Sequence, residues 1–178
     1  MIDERILISG FGGQGIMLLG KLLCRAAVKE GKHATYIPSY GAEMRGGTAH
    51  CLVRIKDASI SSPIFRQCSL LVALNEPSWI KFSDRVAPDG LVLTNRSLFS
   101  VGDSRFINLV EAPLSEMASS LGTLKVVNTV SLGVLLAKKE VVKPKTVRQV
   151  FKDLFSRRGD VLTLNLKAFD LGGQYGKD

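Results

Sequence analysis

The sequence predicts an α/β fold with a mostly parallel sheet of about six strands and a set of C-terminal helices. Three observations carry this reading. A short apolar run, Arg5-Ile6-Leu7-Ile8-Ser9, leads into the glycine-rich stretch Gly10-Phe11-Gly12-Gly13-Gln14-Gly15 and then into apolar residues at helical spacing. Further apolar runs of strand length recur between Gly, Pro, Asn and Asp residues as far as Val110. From Pro113 onward the apolar spacing is helical. Strand, glycine turn and helix in that order form the opening of a Rossmann-like unit. A length of 178 residues suits a single domain, 1–178, because domains typically hold about 100 to 200 residues.

Each element has its own justification. Arg5–Ser9, bounded by charge and glycine, reads as a buried strand. Between Gly15 and Glu30, residues Ile16, Leu19, Leu22, Leu23 and Ala26 mark a helix that Gly31 ends. His33–Ile37 is a second strand, placed beside the first by a right-handed crossover. Ala49–Ile55 and Cys68–Leu74 are two more, the latter central, and Ser61-Ser62-Pro63 is a turn between them. Asn75-Glu76-Pro77 opens a helix with proline in its first turn, and Trp79 reads as a core or subunit-contact anchor. Asp89-Gly90 turns the chain into the strand Leu91–Thr94, and Arg105–Val110 is a sixth strand. Helices are expected over Pro113–Leu121, over Val126–Lys139, from Pro144, and over Val161–Leu171, with Gly172-Gly173 stopping the last and the tail from Gln174 frayed. The Val126–Lys139 segment is so apolar that it must be buried; Asn128 and Thr129 would cap its start or present polar groups to a site, with capping the expectation.

Glycines at 10, 12 and 15 fit the G-x-G-x-x-G spacing, in which missing Cβ atoms let a ligand approach the main chain and a helix N-terminus faces an anion. The dinucleotide version expects an acid about 20 residues on, yet the second strand ends Thr35-Tyr36-Ile37-Pro38-Ser39 without one. Two readings of the turn therefore stay open: an anion site, or a tight turn whose glycines let the helix pack on the sheet. A second candidate stretch is Ser39-Tyr40-Gly41-Ala42-Glu43-Met44-Arg45-Gly46-Gly47-Thr48, which combines a phenol, an acid, a base and paired glycines between two strands. Arg45 could meet a phosphate or carboxylate bidentately, or pair with Glu43 on the surface.

Other classes find less support. The net charge of +8 is spread along the chain, apart from Lys138-Lys139, Lys143, Lys145, Arg148, Lys152 and Arg157-Arg158. No aromatic platform accompanies those residues, so a solvated helix face is expected there and nucleic acid is not. No apolar run reaches the ~18 to 20 residues of a membrane span, and the N-terminus lacks a signal pattern, so the cytoplasm is the expected compartment. Cys24, Cys51 and Cys68, with His33 and His50, form no disulfide framework and no recognised metal-ligand spacing. Cys51 beside His50 is no dyad, because adjacent strand residues point to opposite faces. No catalytic residue is expected.

The pair Gly10-Phe11-Gly12-Gly13-Gln14-Gly15 and Tyr40-Gly41-Ala42-Glu43-Met44-Arg45-Gly46-Gly47 resembles the gamma subunit of the 2-oxoacid:ferredoxin oxidoreductases. The resemblance covers the whole chain, including Asn75-Glu76-Pro77 and the apolar helix opening with Asn128-Thr129. The Tyr-Gly-x-Glu-x-Arg-Gly-Gly form looks most like the 2-oxoglutarate or branched-chain branches, with pyruvate and indolepyruvate branches left open. It implies a subunit, inactive alone, of an enzyme that decarboxylates a 2-oxoacid, forms an acyl-CoA and reduces ferredoxin. It further implies no cofactor in this chain: thiamine diphosphate and iron–sulfur clusters belong to the alpha, beta and ferredoxin-like delta partners. By the same resemblance, Gly10, Gly12, Gly13, Gln14 and Gly15, with Tyr40, Gly41, Glu43, Arg45, Gly46 and Gly47, would line the coenzyme A entrance. An exposed apolar patch would meet the partners, and an isolated chain could dimerise through it. The competing expectation is a free-standing nucleotide-binding α/β protein.

Overall fold

A computed structural model describes residues 2–39, 48–102 and 106–177. Six strands, β1 (Asp3–Gly10), β2 (His33–Ser39), β3 (Ala49–Lys56), β4 (Cys68–Ala73), β5 (Val86–Asn95) and β6 (Leu109–Ala112), form one sheet in the order β2-β3-β1-β4-β5-β6. β1, β4, β5 and β6 are mutually parallel neighbours, and β3 runs antiparallel between β1 and β2. The helices are α1 (Ile16–Lys29), α2 (Glu76–Phe82), α3 (Leu114–Ser120), α4 (Val127–Lys138), α5 (Pro144–Phe155) and α6 (Gly159–Tyr175). Among the described residues, no helix is long and apolar enough to cross a membrane.

The sheet divides two apolar layers of unequal size. Ile6 and Ile8, Val53 and Ile55, Leu70 and Val72, and Leu91 and Leu93 face α1 and the four later helices. Leu7, Leu71, Ala73 and Val92 face a smaller cluster of Phe65, Phe82, Val86 and Phe106, with Trp79 packed against it. Trp79 is thus a core anchor, edge-on to Phe106 at 5.6 Å between ring centroids.

Several expectations need correction. β2 is not beside β1: β3 occupies that place, with Val53 paired to both Ile6 and Tyr36. β3 turns back antiparallel on β2 and pairs on its other side with β1, so β1, α1 and β2 still form a crossover, one that skips a strand. Asp89-Gly90 lies inside β5, where the register jumps from Cys68↔Val86 to Leu70↔Leu91; a Cβ on Gly90 would meet Val86 Cγ1 at 2.6 Å. The sixth strand begins at Leu109, because Phe106 turns into the smaller core while Ile107 is 93% exposed; Arg105 lies outside the described residues.

The last helix does not stop at Gly172-Gly173 but continues to Tyr175. Neither glycine terminates the helix, and Gly172 serves packing. A Cβ on Gly172 would sit 2.1 Å from Val130 O, and one on Gly133 2.3 Å from Phe169 O, so the backbones of α4 and α6 touch. α4 is buried from Val127 to Leu136. Overpacking a closed core typically costs about 1–3 kcal/mol, and here the clashing atoms are backbone. Gly172→Ala is therefore expected to lower unfolding stability by about 2–3 kcal/mol. Gly173→Ala, whose Cβ meets nothing nearer than 4.0 Å, is expected to raise it by up to about 1 kcal/mol through helix propensity. Denaturant titration of the two variants checks the contrast.

Candidate functional site

The sheet order places a topological switch point between β1 and β4: from β1 the chain goes to one side for β2 and β3, then crosses to the other for β4. In open α/β sheets the crevice beyond the carboxyl ends at such a point is where ligands bind. Ser9 pairs with Ala73 and Gly10 with Ala49, so the glycine turn, the start of β3 and the end of β4 meet there.

The turn sorts its residues into two kinds. Gln14 folds back: its Oε1 accepts from Phe11 N at 2.7 Å and its Nε2 donates to Leu74 O at 3.3 Å. A Cβ on Gly10 would meet that Oε1 at 2.5 Å, and one on Gly15 would meet Asn128 Cγ at 2.6 Å. Gly15 also has φ +74°, where side chains are strained. Gly10, Gln14 and Gly15 thus hold the turn against β4 and α4. Among the described residues, Gly12 and Gly13 have nothing within 4 Å of a built Cβ and form its lip. α1 begins after Gly15 with no side-chain cap and no acid in its first turn, leaving its positive end uncompensated. The pattern satisfies both sequence readings at different glycines.

Behind the lip is a buried polar cluster. Ser9 Oγ lies 2.9 Å from Ser78 Oγ and 3.1 Å from Ala49 O. Asn75 Oδ1 caps α2 by accepting from Ser78 N at 2.8 Å. Asn75 Nδ2, Thr48 Oγ1 and Thr94 Oγ1 have no hydrogen-bond partner among the described residues, although these residues are only 1%, 6% and 0% exposed. An unmade buried hydrogen bond costs about 1–3 kcal/mol. Three such atoms at one edge of a sheet call for polar partners that the described residues do not supply.

Beside the lip, a cavity of about 240 Å³ is lined by Gly13, Gln14, Leu98, Ser115, Lys125 and Val127 among others. Lys125 gives it a positive wall. A larger cavity, about 600 Å³, lies between α4, α5 and α6, where Arg148 is already paired with Asp170. The switch-point crevice remains the better candidate because its polar atoms lack partners among the described residues.

Tyr40, Gly41, Glu43, Arg45, Gly46 and Gly47 lie outside the described residues; the flanks Ser39 and Ala49 enter the same edge, in register with His50 and Gly10. The expected cap at the start of α4 is not made by Asn128 or Thr129: Asn128 packs on Gly15, and Thr129 Oγ1 donates to Asn165 Oδ1 at 2.7 Å. His50 and Cys51 do face opposite ways, His50 toward the Phe82 ring and Cys51 toward Ile16 O. Sequence reasoning named Thr48 within the second candidate stretch and Asn75 at a helix opening but gave neither a site role, and it did not single out Thr94 or Lys125, nor Ser78 beyond the helix start. Asn75, directly before Glu76-Pro77, carried the one usable signal, since Asn is a preferred helix cap.

An iron–sulfur cluster needs converging thiolates. Cys51 belongs to the larger core and Cys68 to the smaller, on opposite faces of the sheet. Burial pushes Cys24 and Cys51 up to about 12 and Cys68 up to about 11. These residues do not fit such a group.

Gly15→Ala is expected to cost about 2 kcal/mol or more of unfolding stability, from the left-handed backbone and the Asn128 overlap together. Gly12→Ala, meeting open space, is expected to stay within about 0.5 kcal/mol of the parent. Urea unfolding of both variants separates the packing glycine from the lip glycine.

Comparison with known proteins agrees with this geometry. Residues 5–175 match the family described as pyruvate ferredoxin/flavodoxin oxidoreductase. The chain is 36% identical over 179 residues to the ketoisovalerate oxidoreductase subunit VorA of Methanothermobacter thermautotrophicus, covering 99% of this chain and 37% of that one. The chain therefore spans little more than a third of that relative's length. It is 32% identical to the 2-oxoglutarate synthase subunit KorC of Methanocaldococcus jannaschii, covering 98% of this chain and 95% of that subunit. The crystal structure of a keto/oxoacid ferredoxin oxidoreductase gamma subunit from Geobacter sulfurreducens superposes with a TM-score of 0.82 at 30% identity, covering 97% of this chain and 98% of the other. With a family match across nearly its whole length and a switch-point turn built from Gly10 to Gly15, the chain belongs to the pyruvate ferredoxin/flavodoxin oxidoreductase family.

Proposed function

We propose that this chain, as one domain over 1–178, is the gamma subunit of a cytoplasmic 2-oxoacid:ferredoxin oxidoreductase. The complex would oxidatively decarboxylate a 2-oxoacid, with 2-oxoglutarate or a branched-chain 2-oxoacid first in line, to an acyl-CoA while reducing ferredoxin. Relatives described as ketoisovalerate and 2-oxoglutarate subunits support those two substrates. Thiamine diphosphate and iron–sulfur clusters would be carried by alpha, beta and ferredoxin-like delta partners. The divergent placement of Cys51 and Cys68 supports that division.

Within the complex, this chain's part would be to hold coenzyme A. The observation that carries this is the orphaned Asn75 Nδ2, buried behind a glycine lip at the switch point. The lip lets an acyl acceptor's phosphates approach the main chain, the uncapped start of α1 favours their charge, and Lys125 adds a cation on one side. Asn75 would donate to a carbonyl or phosphate oxygen. Gly12, Gly13, Tyr40, Gly41, Glu43, Arg45, Gly46 and Gly47 would form the entrance, with Arg45 the phosphate or carboxylate contact. Gly10, Gln14 and Gly15 would shape it from behind.

Anaerobic purification from native cells, followed by 2-oxoacid- and coenzyme-A-dependent dye reduction, tests the reading. Larger subunits carrying thiamine diphosphate and iron–sulfur clusters are expected to accompany the chain; elution alone without activity overturns the assignment and directs attention to free nucleotides. Within an active complex, Asn75→Ser keeps a capping oxygen but removes the orphan donor. It is expected to raise the KM for coenzyme A about tenfold, the effect of losing one good hydrogen bond, and to leave the 2-oxoacid KM unchanged. Arg45→Ala is expected to weaken coenzyme A likewise. Unchanged coenzyme A and 2-oxoacid dependence in that variant removes Arg45 from the site.

A further inference from the structure

The opposite end of β1 carries a second site. Arg5 of β1 stands directly across from Arg54 of β3, and both alternate with residues of the larger core (Ile6, Val53 and Ile55), so the two guanidiniums share the face of the smaller core. Like charges directly opposite on a sheet are destabilising. Only part of that charge is balanced. Asp3 holds Arg54 bidentately, with Nε to Oδ1 and Nη2 to Oδ2 both at 3.0 Å, while Arg54 Nη1 donates to Ser62 O at 2.8 Å. Lys56 leans on the same carboxylate at 3.9 Å, and Asp57 is engaged by Ile2 N at 2.6 Å. The Arg5 and Arg66 side chains make no hydrogen bond or ion pair with the described residues.

A cavity of about 490 Å³ opens between them, lined by Arg5, Arg54, Phe65, Arg66 and Gln67, with no acid in its wall. Its rim is braced: Arg85 donates to Phe65 O at 2.6 Å and to Arg66 O at 3.0 Å. Five residues of strand, about 17 Å at ~3.3 Å each, separate Arg5 from Gly10 and the coenzyme A site.

We propose that this cavity docks an acidic segment of a neighbouring polypeptide, with carboxylates bridging Arg5 and Arg66 and an apolar stem lying on Phe65. Two arginines that make no hydrogen bond or ion pair with the described residues, one of them part-buried on the sheet where its charge also acts on Asp3, supply forked donors matched to carboxylates. The cavity is open, with Arg66 and Gln67 exposed, whereas free small molecules are held in clefts that enclose most of their surface. A carboxylate anchored in a larger partner meets that shape. The net charge of +8 favours such a partner at longer range. The proposal rests on the reading of this chain as a subunit of a larger complex.

Titration of the full chain with a hexaglutamate peptide, in parallel with inorganic phosphate, tests it. Binding that weakens with added salt is expected, and Arg66→Glu, an exposed change that leaves the core untouched, is expected to weaken it about tenfold or more. Arg5→Gln is expected to weaken it as well while leaving the thermal midpoint unchanged or higher, since it relieves the Arg54 repulsion. Failure of the peptide to bind, equal affinity for the variants, or a lowered midpoint for Arg5→Gln overturns the proposal. Displacement of the peptide by phosphate at equal concentration also overturns it, in favour of a small-anion pocket. In the native complex, Arg66→Glu is expected to loosen retention of the larger subunits at low salt, and unchanged retention overturns the proposal while the subunit assignment stands. If the parent chain retains no partner, the subunit assignment fails and peptide binding alone decides the pocket.

Discussion

The close packing of Asn128 into the space where Gly15 lacks a Cβ is the contact on which the rest of the site depends. It locks a turn on the sheet's edge to a helix that is buried along most of its length. That helix is in turn fixed by backbone-to-backbone approach to α6 at Gly133 and Gly172. The lip formed by Gly12 and Gly13 is therefore positioned through a rigid path from turn to α4 to α6, and not by local hydrogen bonds alone. Gln14 completes the path on the other side by bridging Phe11 and Leu74. Rigidity of this kind suits a binding edge, since a preformed lip avoids part of the ordering entropy that a loose loop would lose on binding.

Polarity is distributed with equal asymmetry. The larger face of the sheet is covered by five helices and is apolar; the smaller face holds the hydroxyl and amide cluster at its carboxyl edge and arginines at its amino edge. Both are places where the fold tolerates an unfavourable arrangement, unpartnered donors in one case and facing guanidiniums in the other. Local rules broken without compensation inside a chain tend to mark places where something else completes them.

Much of this was legible in the sequence, and the failures have physical causes. Continuous apolar runs gave the central strands because burial on both faces leaves no room for alternation. The helical periods gave α1 and the C-terminal α-helices, a proline-led start gave α2, and the glycine spacing located the switch-point turn. What spacing cannot report is which neighbour a strand chooses: β3 alternates cleanly and pairs on both sides, antiparallel to β2 and to β1, which the sequence order does not specify. Glycine was ambiguous in a similar way. Gly172-Gly173 looked like a stop and is a contact surface, because the same missing Cβ serves a turn and a close crossing equally well. Asn75 was readable as a cap, but its other amide end has meaning only once β4, α2 and the glycine turn are seen to converge.

The two edges of the sheet carry a consequence for how this chain meets others. β2, at one edge, contains Pro38, which has no N–H to offer; β6, at the other, is only four residues long. Neither edge offers a long, fully paired template for an incoming strand, which is how soluble sheets avoid growing sideways into fibres. A chain so blunted at its edges is kept from stacking on its own copies, and it leaves any association to side chains on its faces and ends, where sequence can specify the partner.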